Sequence, residues 1–302
     1  MIRKLTAALR LMRIEQWVKN VFVFLPLFFS GNLFNGRYYP LILFVFLSFS
    51  LVASAIYCLN DIADVERDRK HPKKRHRPIA CGDISRGGAL FVMGLCLVGS
   101  LALSMLCGPN RLWLTAIVLG YFLLNVAYTF KIKQFAIIDV FVLALGFVFR
   151  VFAGGISCDI YTSHWLVLMT FLLSLFLAFA KRRDDYIIFA HTGVEARKGI
   201  RKYNQDFLDQ ILGLLGSVTL VCYILYTVSD EVTANFHTRY VYLTAIWVLA
   251  AIIKYMQLTI VEGKSGSPTK VLLTNRFVQC CVAAWILHFC AIIYLNPFHG
   301  LS

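Results

Sequence analysis

The sequence predicts an all-α, polytopic membrane protein, and three observations predict it: how apolar the chain is, how the apolar residues are grouped, and how charge is placed between the groups. Of the 302 residues 59% are hydrophobic and only 15% charged, with a mean hydropathy of +0.70, which is more apolar surface than a soluble domain of ordinary composition hides. The apolar residues gather into nine windows, at about residues 18–34, 40–59, 87–107, 112–130, 136–156, 162–180, 208–229, 240–261 and 277–295, each about the length that crosses a hydrocarbon core as a helix. Lys and Arg crowd alternate connections. The whole chain, 1–302, reads as a single integral membrane domain with two aspartate-containing loops at about 60–85 and 181–207.

Before the first window, Ile2, Leu5, Leu9 and Met12 recur at helical spacing among Arg3, Lys4, Arg10 and Arg13, the pattern of a helix lying in the membrane surface. The first window runs on past Pro26 with no small-residue cleavage pattern, so no removable signal is expected. One set of connections holds Arg67 through Arg86, Lys131 and Lys133, Lys181 through Lys202, and Lys264, Lys270 and Arg276, whereas the alternate set holds only Arg37, Arg111 and Arg239. Basic connections stay in the cytoplasm, so the N-terminus is expected inside and the C-terminus outside, as nine spans require. The net charge of +14 follows from that orientation and argues for no nucleic-acid partner. The nine cysteines form no C-x-x-C and read as small apolar residues.

The connection after the second window carries the chemistry. Asn60, Asp64 and Asp68 repeat every four residues, and Asp61, Asp64 and Asp68 step three then four, so a helix through them is expected to gather the acids on one face. The run continues into His71-Pro72-Lys73-Lys74-Arg75-His76-Arg77. Carboxylates hold a hard divalent cation, Mg2+ by preference, which shares its coordination with substrate phosphates; the adjacent cations hold the phosphates themselves. A solvated helix end is the plainer reading of any charge run, but three aspartates and an asparagine abutting so many cations favour a ligand site. A second cluster, Lys181-Arg182-Arg183-Asp184-Asp185, follows the sixth window, where ordinary cytoplasmic anchoring is nearly as good an explanation. In the fifth window Asp139, Gly146 and Arg150 fall on one stripe, and an arginine ~16 Å along a helix from Asp139 is too deep to reach water easily and is expected to face a bundle interior and bind something. Lys254 lies nearer a helix end and is expected to snorkel. A metal held by carboxylates among cations at a membrane surface suits the departure of pyrophosphate, because both stabilise charge gathering on the leaving oxygens.

These residues resemble a known family. Asn60-Asp61-x-x-Asp64-x-x-x-Asp68 is similar to the first aspartate-rich motif of the UbiA superfamily of intramembrane prenyltransferases. The finer resemblance is to the branch that contains the decaprenyl-phosphate phosphoribosyltransferases. It rests on Gln16-Trp17-Val18-Lys19-Asn20, the run from Asp68-Arg69 through His71-Pro72 to Arg77-Pro78-Ile79-Ala80, Ile132-Lys133 before Ile138-Asp139-Val140, Gly146-Phe147 to Arg150-x-x-Ala153-Gly154-Gly155, Ala180-Lys181-Arg182, Thr192-Gly193, Arg197-Lys198, Tyr203 and Asn275-Arg276.

The resemblance implies a nine-helix UbiA-type bundle open sideways to lipid, and Mg2+-dependent transfer of 5-phosphoribose from phosphoribosyl pyrophosphate to a polyprenyl phosphate, releasing pyrophosphate. It implies that Asn60, Asp61, Asp64 and Asp68 hold Mg2+ and the pyrophosphate, that Lys19, Lys73, Arg75 and Arg77 contact phosphates, and that Lys181, Arg182, Asp184 and Asp185 hold the second side of the donor, Asp185 among the catalytic acids. Lys133 and Arg150 are candidates for the lipid phosphate or the ribose phosphate. The second motif departs from the pattern: adjacent Asp184-Asp185 stands where the superfamily commonly has D-x-x-x-D and the branch K-R-Y-x-E. Two other readings remain, prenyl transfer from a polyprenyl diphosphate to an aromatic or quinone-precursor acceptor, and a lipid or ion transporter. The implied setting is a bacterial inner membrane with the site facing the cytoplasm, and a homo-oligomer is an open option.

Overall fold

A computed structural model of the chain describes residues 2–70, 74–193, 199–263 and 268–294. Among the described residues every regular element is helical. In order these are α1 (Ile2–Met12), a 3-10 stretch (Ile14–Phe24), α2 (Leu25–Phe29), α3 (Tyr39–Ala63), α4 (Val65–Lys70), α5 (Arg86–Met105), α6 (Arg111–Phe130), α7 (Ile138–Cys158), α8 (His164–Thr192), α9 (Gln205–Val228), α10 (Asp230–Asn235), α11 (Ala245–Ile260), α12 (Pro268–Thr274) and α13 (Arg276–Tyr294). Eight segments are long and apolar enough to cross a membrane, so this is an integral membrane protein.

Among the described residues eight of the expected nine spans are single long apolar helices, and the difference lies in the first window. Residues 18–34 divide between the 3-10 stretch and the five-residue α2. Pro26 sits in the first turn of α2, where its missing N–H is tolerated although no continuous α-helix passes through it. Gly31 then turns the chain at φ 74°. Two other boundaries extend further than expected. Helical hydrogen bonding runs on through the acidic motif, Asp64 N–H to the Asn60 carbonyl at 3.0 Å and Asp68 N–H to the Asp64 carbonyl at 2.9 Å, so residues 60–70 are helix on either side of a turn at Asp64 rather than loop. Likewise α8 continues through the second charged run and closes only at Gly193, whose φ of 67° is the left-handed cap that glycine adopts without strain.

The chain divides into two compact units, residues 1–133 with 146–162, and residues 134–145 with 163–302. In the first, α3 packs along α5 and α6, with the 3-10 stretch and α1 against α3. Its core is Val23, Leu27, Val45, Phe49, Val52, Leu114, Val118 and Tyr121. Small residues set the α3–α5 distance: Ser48 Oγ donates to the Ser100 carbonyl at 2.8 Å and Ser100 Oγ returns the bond at 2.7 Å, a way to join spans where no water competes. A Cβ on Gly154 would lie 1.9 Å from the Val23 carbonyl oxygen, so only glycine lets the end of α7 meet the 3-10 stretch. Leu11 of α1 is fully buried with Cys58, Val65, Ile79 and Ala89.

In the second unit α8 lies along α9, and α11 along α9 and α13. Phe176, Leu208, Leu212, Ile252 and Tyr255 form its centre with Val140 and Ala144 from the start of α7. Ser163 caps α8, its Oγ accepting the Leu166 N–H at 3.2 Å, and Asn204 caps α9, its Oδ1 accepting the Phe207 N–H at 2.7 Å.

Candidate active site

At the end of α3 the partners divide the acidic motif into two stripes. Residues four apart, such as Asn60 and Asp64, lie about 40° from one another, and residues seven apart, such as Asp61 and Asp68, lie about 20° apart, the two pairs being offset by roughly 60°. The partners follow that division. Thr129 Oγ1 of α6 lies 2.7 Å from Asn60 Oδ1, and Lys133 Nζ donates to both oxygens of Asp64 at 2.9 and 3.1 Å. On the other stripe Arg77 Nη1 bridges Asp68 Oδ2 at 2.7 Å and Asp61 Oδ1 at 3.1 Å, and Arg13 Nη2 reaches Asp61 Oδ1 at 2.5 Å. On an ideal helix Asp61, Asp64 and Asp68 fall within about 60° of arc, and within that arc their partners divide between Arg77 and Lys133. Among the described residues no three of the His, Cys, Asp and Glu side chains converge as metal ligands.

The electrostatics tilt positive. Asp61, Asp64 and Asp68 face Arg13, Arg67, Arg77 and Lys133, three carboxylates against four cations. Asp61 and Asp68 are buried, while Asp64 and Lys133 keep 23% and 19% of their side chains exposed, so solvent or a ligand reaches that pair. Arg75 is exposed, and its Nε lies 3.4 Å from Nε2 of the His76 ring. Lys73 lies outside the described residues.

Deeper in the same unit, Arg150 of α7 is buried, yet each of its bonds goes to a neutral acceptor. Nε donates to Asn20 Oδ1 at 2.7 Å, Nη1 to the Gly146 carbonyl at 2.6 Å, and Nη2 to Tyr121 Oη at 3.0 Å. Asn20 Nδ2 is in turn fixed by Ser50 Oγ at 3.0 Å. The rings of Tyr121, Phe147 and Phe49 stand 5.0, 5.2 and 5.9 Å from the guanidinium carbon, within cation–π range. Lys19, half-buried in the 3-10 stretch, lies within electrostatic reach of Arg150 and Arg13.

The second cluster is built differently. Arg182 of α8, 1% exposed, pairs through Nη2 and Nε with Asp139 Oδ2 at 2.9 and 3.0 Å and reaches Asp185 Oδ2 one turn on at 3.3 Å. Arg183 pairs with Asp209 and donates to the Thr259 carbonyl at 2.6 Å. Asp184 is buried on the side of Tyr255, and Lys181 is exposed. Consecutive residues on α8 thus point about 100° apart, which puts Asp185 with Arg182 and turns Arg183 and Asp184 elsewhere. Ile137, a β-branched residue held at φ 71°, donates its N–H to Tyr203 Oη at 2.7 Å. Such a residue in the left-handed region is strained and needs its surroundings to hold it there. Burial pushes the Tyr203 phenol above its ordinary range, so it stays protonated.

Sequence reasoning missed Arg13, Asn20, Thr129, Tyr121 and Tyr203 as members of these networks. Asn20 and Tyr203 lay within motifs singled out for the resemblance, whereas nothing local marks Arg13 or Thr129, whose partners are 48 and 69 residues away.

Comparison with known proteins bears on the whole chain. Residues 21–192 match the model of the UbiA prenyltransferase family. A decaprenyl-phosphate phosphoribosyltransferase of Mycolicibacterium smegmatis is 33% identical, covering 95% of this chain and 92% of that protein. One of the same name from Corynebacterium glutamicum is 30% identical over 96% of this chain and 87% of that protein. In fold, the chain is similar to a UbiA homologue from Archaeoglobus fulgidus solved with GPP and Mg2+, with a TM-score of 0.68 and 18% identity over 95% of this chain and 99% of the other. With more than half its length matched by the family model and relatives that span it almost end to end, this chain is a transferase that belongs to the UbiA prenyltransferase family.

Proposed function

We propose that the protein transfers 5-phosphoribose from phosphoribosyl pyrophosphate to a polyprenyl phosphate. The observation that carries this reading is the match to decaprenyl-phosphate phosphoribosyltransferases over nearly the whole chain, and the excess of cations around the Asp64 carboxylate supports it. On this reading the chain acts as one membrane transferase in a bacterial cytoplasmic membrane, with its N-terminus and the α3–α4 site in the cytoplasm and its C-terminus outside.

The donor set fits Mg2+. Asn60 Oδ1 and the Asp64 carboxylate are hard oxygen donors on one helical stripe and Asp64 is reachable from outside; Mg2+ is typically held by one or two carboxylates, waters and substrate phosphates. Asn60 and Asp64, with Asp68 beside them, would hold it, and when bound it would neutralise charge on the departing pyrophosphate. Asp61 has a different task here, because two arginines already claim it: it fixes Arg13 and Arg77 at the site. Arg77, Arg75 and Lys73 contact the donor phosphates. Lys133, resting on Asp64 in the free chain, turns to a phosphate when the donor arrives. In the second unit Lys181 is exposed and Asp185 half-buried, with Arg182 holding Asp185. An oxygen of the lipid phosphate forms the new bond to the anomeric carbon as the bond from that carbon to pyrophosphate breaks, its electron pair leaving on pyrophosphate. The attacking oxygen is already anionic, so no general base is required, and the fixed cations act where charge develops.

The test is to incubate the purified protein with labelled phosphoribosyl pyrophosphate, Mg2+ and a panel of polyprenyl phosphates. Labelled lipid and free pyrophosphate in equal amounts are expected. Joining a prenyl diphosphate to an aromatic acid while ignoring phosphoribosyl pyrophosphate would replace this reading with aromatic prenylation.

A further inference from the structure

Thr129 of α6 has one hydrogen to give, and two acceptors stand in line for it. Its Oγ1 lies 2.7 Å from the Asn125 carbonyl one turn back and 2.7 Å from Asn60 Oδ1 of α3, while a hydroxyl offers a single O–H donor beside two acceptor lone pairs. Thr129 is 1% exposed, so bulk water does not supply the missing donor. The Asn125 carbonyl is fixed by its helix. The Asn60 amide is not: its two ends have nearly the same shape, and hydrogen-bond partners decide which end points where. With Oδ1 against Thr129, Asn60 Nδ2 has no hydrogen-bond partner among the described residues, and the end of the amide turned away from α6 is an NH2 group, which ligates no cation. Turning the amide over removes both conflicts. Nδ2 then donates to Thr129 Oγ1, Oγ1 donates to the Asn125 carbonyl, and Oδ1 is released on the open side of a half-buried residue, one helical turn from Asp64.

We propose that Thr129 is a positioning residue for the metal: committed to the Asn125 carbonyl, its hydroxyl accepts from Asn60 Nδ2 and so aims Asn60 Oδ1 outward alongside the Asp64 carboxylate. The inference rests on the proposed function only for its divalent cation, whichever group leaves the diphosphate. Partners that orient a metal ligand matter nearly as much as the ligand, and losing one typically costs about 10- to 100-fold in metal affinity. An amide is a hard-cation ligand through its oxygen alone, so its orientation is all or nothing. A carboxylate has two equivalent oxygens and escapes that constraint. Thr129 therefore acts on metal binding through an asparagine at position 60 and has nothing to orient in an aspartate or an alanine there. A threonine that only packed α6 against α3 would matter equally in all three backgrounds.

The experiment measures Mn2+ uptake by the full chain in lipid nanodiscs, with inorganic pyrophosphate present and no acceptor, from the loss of the free-ion electron spin resonance signal. Mn2+ stands in for Mg2+ because both take carboxylate, carbonyl and water oxygens, and the uptake counted is the part that Asp64→Asn removes. Thr129→Val keeps the shape of the side chain without its hydroxyl and is expected to weaken Mn2+ about tenfold or more. Thr129→Ser, which keeps the hydroxyl, should stay within about threefold of wild type. Added to Asn60→Asp or to Asn60→Ala, Thr129→Val should change the affinity of that background less than about twofold, since neither residue has an amide to orient. Wild-type affinity in Thr129→Val, a serine variant as weak as the valine one, or the same loss in all three backgrounds would each overturn the assignment. Wild type that takes up no Mn2+ overturns it together with the metal site. The expected pattern in a protein that proves to transfer a different group upholds it and refutes only the reaction proposed above.

Discussion

The ends of α3 and α8 carry the same kinds of residue, yet the two clusters are different physical objects. Around α3 the cations come from distant segments and keep contact with solvent: the side chains of Arg13, Arg77 and Lys133 are 23%, 27% and 19% exposed. On α8 the arginines belong to the helix itself and are closed off, Arg182 at 1% and Arg183 at 2%. A half-exposed cation exchanges a protein carboxylate for a phosphate at little cost. A sealed arginine does not, since swinging it out breaks the buried bonds it makes itself, from Arg182 to Asp139 and from Arg183 to the Thr259 carbonyl. The α3 end is therefore a place for ligand exchange, and much of the α8 end is scaffold that happens to be charged.

The most severe break in that comparison is Arg183→Met. It leaves Asp209 without its cation and the Thr259 and Ile260 carbonyls without their donor. Asp209 keeps 27% of its side chain exposed and can be solvated, so the cost comes mainly from the buried carbonyl left unsatisfied, about 1–3 kcal/mol, still a large share of the stability of most domains. Little monodisperse protein should survive detergent extraction, and any that does should melt well below wild type in a thermal-shift assay. An unchanged melting curve would mean that α8 tolerates ligand-like exchange after all.

That distinction was only partly legible in the sequence. Eight spans show in hydropathy because apolar length is a local property, but the window at 18–34 reads as a ninth only if Lys19, Asn20 and Pro26 are outvoted by their neighbours. In the structure Asn20 is buried on Arg150 and Pro26 starts a separate short helix, so this window forms no single long helix. The depth of Arg150 was likewise visible, since a charge inside an apolar window stands out, whereas its partner Asn20 lies 130 residues away and no spacing rule reaches that far. The acidic motif was legible as a motif but not as two stripes, because which stripe faces Arg77 and which faces Lys133 depends on how α6 and the 74–84 segment return to α3. On α8 the i,i+3 pair of Arg182 and Asp185 signalled a helix that continued, and treating the run as a loop overlooked it.

A sharper test separates function from stability at the other end. In Asp64→Ala the carboxylate that Lys133 holds is gone, but Lys133 keeps 19% of its side chain in contact with solvent and can turn outward, so the fold should lose less than it does in Arg183→Met. Turnover with phosphoribosyl pyrophosphate should fall roughly 100- to 1000-fold, the scale of losing one group that stabilises transition-state charge. Activity and melting temperature are measured on one preparation. A variant with near-normal turnover would sink the metal-site reading, and one that melts like Arg183→Met would erase the contrast between the two ends.

The smallest expected effect lies just outside the site and calibrates the others. Glu66 of α4 pairs with Arg69 at 3.3 Å and with Arg86 at 2.7 Å, and its side chain is 68% exposed. By distance alone the Arg86 contact equals that between Arg77 and Asp68. Exposure decides between them: water solvates each charge nearly as well as the partner does, and holding long side chains in one geometry costs entropy, so exposed pairs contribute about 0–1 kcal/mol. Glu66→Gln should move the melting temperature by no more than about 2 °C and leave turnover within twofold. Salt should act in the same sense, since exposed pairs are screened over a Debye length of about 8–10 Å: raising ionic strength should narrow what little difference separates Glu66→Gln from wild type and leave the deficit of Arg183→Met in place. If Glu66→Gln instead silences the enzyme, α4 is part of the exchanging surface, and the ligand site extends from Asp68 to the outer face of that helix.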